Sequence, residues 1–346
     1  MVDASVEAPP GAATNALLPW QADAAREALS RRGTWPHGLL LTGARGTGKR
    51  ALAMHFARAL LCETPRPDGA PCGACPSCGY VAAGQHPDLR VLELVEVDEE
   101  GEVKPLVEIK IDTVRDLTRW ALLTSHRGAG KVAIIDPAEA LNIAAANALL
   151  KTLEEPPPST FFILVSHLPG QVAPTLRSRC LRLAAPRPSP EQAAAWLAGQ
   201  GVQNAGTVLA QADGAPLAAL RLADPAWQEE RGVWLAALAK PASLPAVALA
   251  SRVESGAKDE RRDRLALAID WLAAWTSDLA RVAAGGSARR NPDFADALAT
   301  LAPSVASPAL FRYHRMLAEQ RALVTHPLAP RLVAESLLLR YRELFE

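Results

Sequence analysis

The sequence predicts an α/β domain built on a mainly parallel sheet, followed by domains made only of helices. Two patterns carry that prediction. Through the first half, short apolar runs alternate with Ala- and Leu-rich helical segments, the chain order of a parallel sheet with crossover helices. After Pro186-Arg187-Pro188-Ser189-Pro190 the strand signal stops, and helical segments continue to Glu346.

Gly38-Leu39-Leu40-Leu41-Thr42 is an apolar run that ends in a glycine-rich turn, and Arg50 to Leu61 continues as a helix, so the order is strand, loop, helix. Residues 88–96 alternate apolar and charged side chains as a half-buried strand does, and Asp98 to Glu102 reads as the solvated tip of a hairpin. Asp112 or Thr113 can cap a helix running to about Leu123. Lys131 to Asp136 is a β-branched run of the kind buried in a parallel sheet. A helix from about Leu141 to Glu155 ends at Pro156-Pro157-Pro158, because proline lacks the amide donor, and Phe161 to Ser166 supplies the next strand. Trp271 and Trp275 lie one helical turn apart, which is core spacing. The proline boundaries divide the chain into an α/β domain over residues 1–186, with a cysteine module at about 62–80, a small helical domain over 187–224 and a larger helical domain over 225–346.

Composition excludes several classes. The 346 residues carry 37 basic and 37 acidic side chains, so no bulk positive field exists to hold nucleic acid, and any DNA contact is local or shared with partners. No run of about 18 apolar residues occurs, and Met1-Val2-Asp3-Ala4-Ser5 lacks the basic and apolar regions of a signal peptide, so the expected location is the cytosol. Aromatic residues are only 5%, which leaves Ala, Leu and Val to fill the cores.

Three motifs carry chemistry. Gly43-Ala44-Arg45-Gly46-Thr47-Gly48-Lys49-Arg50 fits a phosphate-binding loop up to its last position: glycines such as Gly43 and Gly48 turn backbone amides toward a phosphate, and Lys49 reaches its outer oxygens. The final Ser or Thr, whose hydroxyl holds Mg²⁺, is Arg50, so ATP binding is in doubt and a turn that only packs its helix on the sheet is the alternative. A working ATPase of this type ends its third strand in two adjacent acids, whereas here the strand ends Asp136-Pro137-Ala138-Glu139. Glu139 is read as a helix-start acid that complements the dipole.

Cys62, Cys72, Cys75 and Cys78 form a Cys-x9-Cys-x2-Cys-x2-Cys cluster, and four thiolates can close a tetrahedral shell around one structural Zn²⁺. An iron–sulfur cluster and metal-free thiols are the alternatives. Cys180 reads as a small buried hydrophobe, and His86 as a hydrogen-bonded structural histidine near the cluster. Last, Thr175-Leu176-Arg177-Ser178-Arg179-Cys180 follows the last long strand. An arginine displayed there can reach a neighbouring subunit's nucleotide, although Arg179 read alone is a surface ion pair.

Taken in order, the altered phosphate loop, the four cysteines, His86-Pro87-Asp88, Asn147-Ala148-Leu149-Leu150-Lys151-Thr152-Leu153-Glu154-Glu155-Pro156-Pro157 and Ser178-Arg179-Cys180 resemble the bacterial clamp-loader subunits of the AAA+ class. The match covers residues 17–223 by motif and the helical remainder by layout. The family's ATP-hydrolysing gamma/tau member keeps the terminal Ser or Thr of the loop, the acid pair and an arginine in the small helical domain. Here those positions read Arg50, Pro137 and, in Gly214-Ala215-Pro216-Leu217, an apolar residue, so the chain is more similar to a member that has lost hydrolysis.

The resemblance implies an AAA+ domain, a helical lid and a helical collar that joins a ring with gamma/tau and delta subunits. The complex would open a sliding clamp and place it on primed DNA, away from any membrane. It also implies that Arg179 acts in trans on the neighbour's ATP, with Arg177 in support. An active ATPase of the gamma/tau kind is the competing expectation, for which Lys49 and Asp136 remain suitable. A zinc-dependent DNA-binding regulator is a third, but residues 62–85 hold one basic side chain, Arg66.

Overall fold

The computed structural model describes residues 16–97, 103–324 and 329–346; the expected acidic tip at Asp98 to Glu102 lies outside them. The described residues up to Ser189 and those from Pro190 onward form separate compact units.

In the first unit, α1 (Ala22–Leu29) precedes β1 (Gly38–Thr42), which leads through the glycine loop into α2 (Lys49–Leu61). Then come α3 (Pro76–Ala82), β2 (Leu89–Glu93), β3 (Val95–Val97), β4 (Val103–Pro105), α4 (Ile111–Leu122), β5 (Lys131–Asp136), α5 (Ile143–Glu154), β6 (Thr160–Ser166), α6 (Pro174–Arg177) and β7 (Leu181–Ala184). Five strands make one parallel sheet in the order β2-β5-β6-β1-β7, so β1 lies between strands from late in the chain. Alternate side chains of the central strands serve two cores, as a sheet covered on both faces requires. Leu39, Leu41, Ile134 and Val165 pack with Leu52 and Phe56 of α2, while Leu40, Ile135, Phe162 and Leu164 pack with Leu117 of α4 and Leu149 of α5.

Element boundaries follow local chemistry. The Asn142 side chain accepts from Ala145 N at 2.9 Å, so α5 begins at Ile143, after a short 3₁₀ turn, rather than at Leu141. Neither Asp112 nor Thr113 caps α4, whose N-cap is Lys110. The single strand expected over 88–96 is two: β2 joins the sheet, and β3 turns away to pair antiparallel with β4. The edge strand β7 and helix α3, inside the cysteine module, are too short for periodicity to announce.

The second unit holds α7 (Pro190–Gly199), α8 (Ala205–Gln211) and α9 (Pro216–Leu222) around Ala193, Leu197, Leu209 and Ala219. It continues with α10 (Pro225–Leu238), α11 (Ala246–Ser251), α12 (Lys258–Ala283), α13 (Ala295–Leu301), α14 (Ser307–Ala322) and α15 (Pro330–Arg342). Their common core contains Trp234, Trp271, Trp275, Leu338 and Tyr341. Buried Trp and Tyr need partners for their polar ends. Trp275 Nε1 donates to Tyr341 Oη at 2.8 Å, and that hydroxyl donates to Leu238 O at 2.8 Å.

Among the described residues, no single helix is long and apolar enough to cross a membrane.

Candidate functional site: phosphate loop, cysteine centre and arginine edge

The glycine loop sits at the carboxyl end of β1 and opens α2, the position where an open parallel sheet offers a crevice for phosphate groups. Gly46 and Gly48 have φ of 74° and 90°, in the left-handed region that favours glycine. Gly48 is also pinned by the segment before α1. A Cβ there would lie 2.2 Å from Leu18 Cδ1, Gln21 Nε2 donates to Gly48 O at 2.7 Å, and Trp20 Nε1 donates to Thr47 O at 3.1 Å.

Two of the loop's three cations, Lys49 and Arg50, are turned inward. Lys49 is 2% exposed, and its Nζ donates to Gly43 O at 2.9 Å and to Ala44 O at 2.6 Å, closing the lysine onto its own loop. Arg50, in place of the Mg²⁺-holding hydroxyl, forms an ion pair with Glu93 at the end of β2.

Asp136 ends β5 in register with Glu93. The next residue, Pro137, leaves no second acid there. His167 Nε2 lies 3.8 Å from Asp136 Oδ1. Burial and the nearby Lys49 and Arg45 charges push His167 down to about 3, so it stands there as a neutral imidazole. Glu139 sits in the first turn after β5, as expected of a helix-start acid, and its carboxylate has a further use. Its Oε1 accepts from His167 N at 2.9 Å and Leu168 N at 3.0 Å, tying that turn to the loop after β6.

The four cysteines converge. Cys62 is the C-cap of α2, Cys75 the N-cap of α3, and Cys78 lies in that helix's first turn. Their four sulfurs lie within 4.8 Å of one another, with Cys62–Cys75 at 3.8 Å and Cys72–Cys78 at 4.0 Å. A tetrahedron with Zn–S bonds of about 2.3 Å has edges of about 3.8 Å, so the donor set fits that ion. Backbone amides also point at the sulfurs: Cys72 N at Cys62 Sγ (3.3 Å), Cys75 N at Cys72 Sγ (3.2 Å) and Cys78 N at Cys75 Sγ (3.5 Å). Such donors stabilise thiolates. Hydrogen bonds from Thr64 and from the Ala74 and Cys75 amides pull Cys72 down to about 5, whereas burial pushes Cys78 up to about 12.

The module is fastened to the sheet by polar contacts. Glu63 accepts from Ser77 Oγ at 2.8 Å and pairs with Arg127 at 2.7 Å. Asp88, fully buried, accepts from His126 N at 2.8 Å and Arg127 N at 2.9 Å. His86 Nδ1 accepts from Asp88 N at 3.0 Å, which is a structural histidine's use.

At the far edge, α6 ends at Arg177 and Ser178 is its C-cap, so Arg179 enters β7 from a tight turn. Its Nε donates to Glu154 Oε1 at 2.6 Å, its Nη2 forms an ion pair with the same oxygen, and its Nη1 donates to Thr175 O at 3.1 Å. Arg177 and Ser178 line a neighbouring cleft of about 350 Å³ with Arg182. Cys180 packs against the core, and burial raises its thiol to about 11, which disfavours the thiolate. At Gly214-Ala215-Pro216-Leu217, Pro216 opens α9 and is buried with Ala215.

The sequence motifs gave no hint of Leu18 and Gln21 on the loop, of Glu93 against Arg50, or of Glu154 against Arg179. These pairs are 25 to 43 residues apart in the chain, beyond the reach of any local pattern.

A parallel sheet with a loop of the phosphate-binding pattern after its inner strand, a four-cysteine module and a helical remainder defines an α/β protein of the P-loop type. Comparison with known proteins narrows this. Residues 24–188 match the family model described as DNA polymerase III, delta subunit. The chain is 40% identical to the DNA polymerase III subunit delta' of Pseudomonas aeruginosa over 77% of each chain, and 33% identical to that of Yersinia pestis over 82% of each. Among solved structures it is similar to a gamma subunit-related protein of Thermotoga maritima, with 17% identity, 93% of this chain and 99% of that one covered, and a TM-score of 0.42. The chain belongs to the delta-prime family of DNA polymerase III subunits.

Proposed function

We propose that this chain is a delta-prime subunit that helps load the sliding clamp onto primed DNA in the cytosol without hydrolysing ATP itself. It would sit in a ring with gamma/tau and delta subunits, joined through the collar of residues 225–346, with residues 187–224 as the lid. Arg179 would reach the nucleotide of the adjacent gamma/tau subunit, with Arg177 in support. Cys62, Cys72, Cys75 and Cys78 would hold one structural Zn²⁺, which leaves no open coordination position for hydrolysis.

The observation that carries the non-hydrolysing reading is the state of Lys49 and Arg50. Lys49 is bonded to the carbonyls of Gly43 and Ala44, and Arg50 is paired with Glu93 where a Mg²⁺ ligand is required. Pro137 supports it, because no acid adjacent to Asp136 remains to polarise water. Two tests follow. The purified chain is expected to show no ATP turnover; a rate near 1 per second, on the order of an ordinary enzyme, overturns the reading. Mixed with gamma/tau, delta, clamp and primed DNA, the chain is expected to be required for loading, and loading at full rate without it removes the proposed role.

A further inference from the structure

We propose that Glu154 is a holding residue for Arg179: it keeps the guanidinium folded onto its own chain until a phosphoryl group competes it away. The inference rests on the reading of Arg179 as a group that acts in trans.

The geometry is specific. Glu154 Oε1 receives Nε at 2.6 Å and also Nη2, while Nη1 donates to Thr175 O at 3.1 Å and Ser178 Oγ at 3.4 Å. The edge that binds a carboxylate or phosphate bidentately is therefore committed within the chain. Of Arg177, Arg179 and Arg182 on this edge, Arg179 is the one that a carboxylate holds among the described residues.

A second observation concerns where the acid sits. Glu154 is the last helical residue of α5 and Glu155 its C-cap, so two acids crowd the negative end of the helix dipole, where they oppose helix stability. Burial gives no reason for Glu154 either, since its side chain is 47% exposed. What the position does accomplish is to place a carboxylate under Arg179.

Exposure also sets the strength. With the arginine side chain 35% exposed, the pair is solvent-screened and reversible, a hold that a more highly charged phosphoryl group can displace. An exposed pair of this kind shifts an equilibrium by roughly two- to fivefold.

The test uses the complete complex of this chain with gamma/tau and delta, assayed for ATP turnover with clamp and primed DNA. Glu154→Gln keeps the shape and removes the charge. Turnover is expected to rise about two- to fivefold at low salt, and the ratio to wild type to fall toward one as salt is raised, because screening weakens the wild-type pair in the same way. Glu154→Gln combined with Arg179→Ala is expected to match Arg179→Ala alone. If Arg179→Ala leaves turnover and loading unchanged, the in-trans reading fails and this inference with it. If Arg179→Ala impairs the complex but Glu154→Gln is equal to or below wild type, or acts equally without Arg179, the holding role is wrong while the in-trans reading stands.

Discussion

Gly48 is a residue whose identity is dictated twice, by its φ of 90° and by Leu18 Cδ1 lying where a side chain would begin. Gly48→Ala is therefore expected to destabilise the first unit by about 2 kcal/mol or more, read as a shift in the denaturation midpoint. A loss below a few tenths would show that the segment before α1 yields freely. His167 gives a pH test. Its folded-state value, near 3, lies below the ordinary value of 6.5, so the unfolded chain binds the proton first and stability falls as pH drops below about 6.5. At pH 5 the cost is about 2 kcal/mol, from about 1.5 units of refused protonation. His167→Gln is expected to flatten the stability profile between pH 7 and 5. An unchanged slope would place the titration elsewhere.

At the scale of elements, the cysteine module shows what a sequence can and cannot disclose. Cys72, Cys75 and Cys78 lie within seven residues, so their convergence was legible as spacing, and the glycine loop was legible for the same reason. Cys62 at the end of α2 follows from the helix read over Arg50 to Leu61, but that Cys75 begins α3 was not legible, because a seven-residue helix carries too little periodicity. The ties from Glu63 to Ser77 and Arg127 join distant segments, and no local pattern encodes them. Likewise β2 and β3 looked like one strand, since alternation continues across the point where the chain leaves the sheet. Because the four sulfurs link the end of a core helix to the module, metal loss should be felt in α2. Cys75→Ser is expected to lower bound zinc from about one per chain and to lower the melting temperature, as is chelation of the wild-type chain. Equal melting with and without metal would make the ion dispensable.

At the scale of the whole molecule, two units with separate cores divide the proposed labour. The first carries the loop, the cysteines and Arg179; the second has its own aromatic core around Trp275 and Tyr341. On its surface it also exposes Phe311 at 66% and Leu332 at 65%, large apolar side chains with no use in that core. A formal net charge of zero gives this chain no bulk field for DNA, so under the proposed role assembly would have to bring it there. If the collar joins the ring, a fragment of residues 190–346 should fold, by its helical circular dichroism, and compete with the full chain for gamma/tau and delta. Complexes containing it should load no clamps, because the arginine edge is missing. The complementary fragment of residues 10–189 should retain its metal yet fail to enter the complex. Entry of that fragment at full-chain affinity, with the 190–346 fragment folded but excluded, would move the assembly surface to the α/β unit.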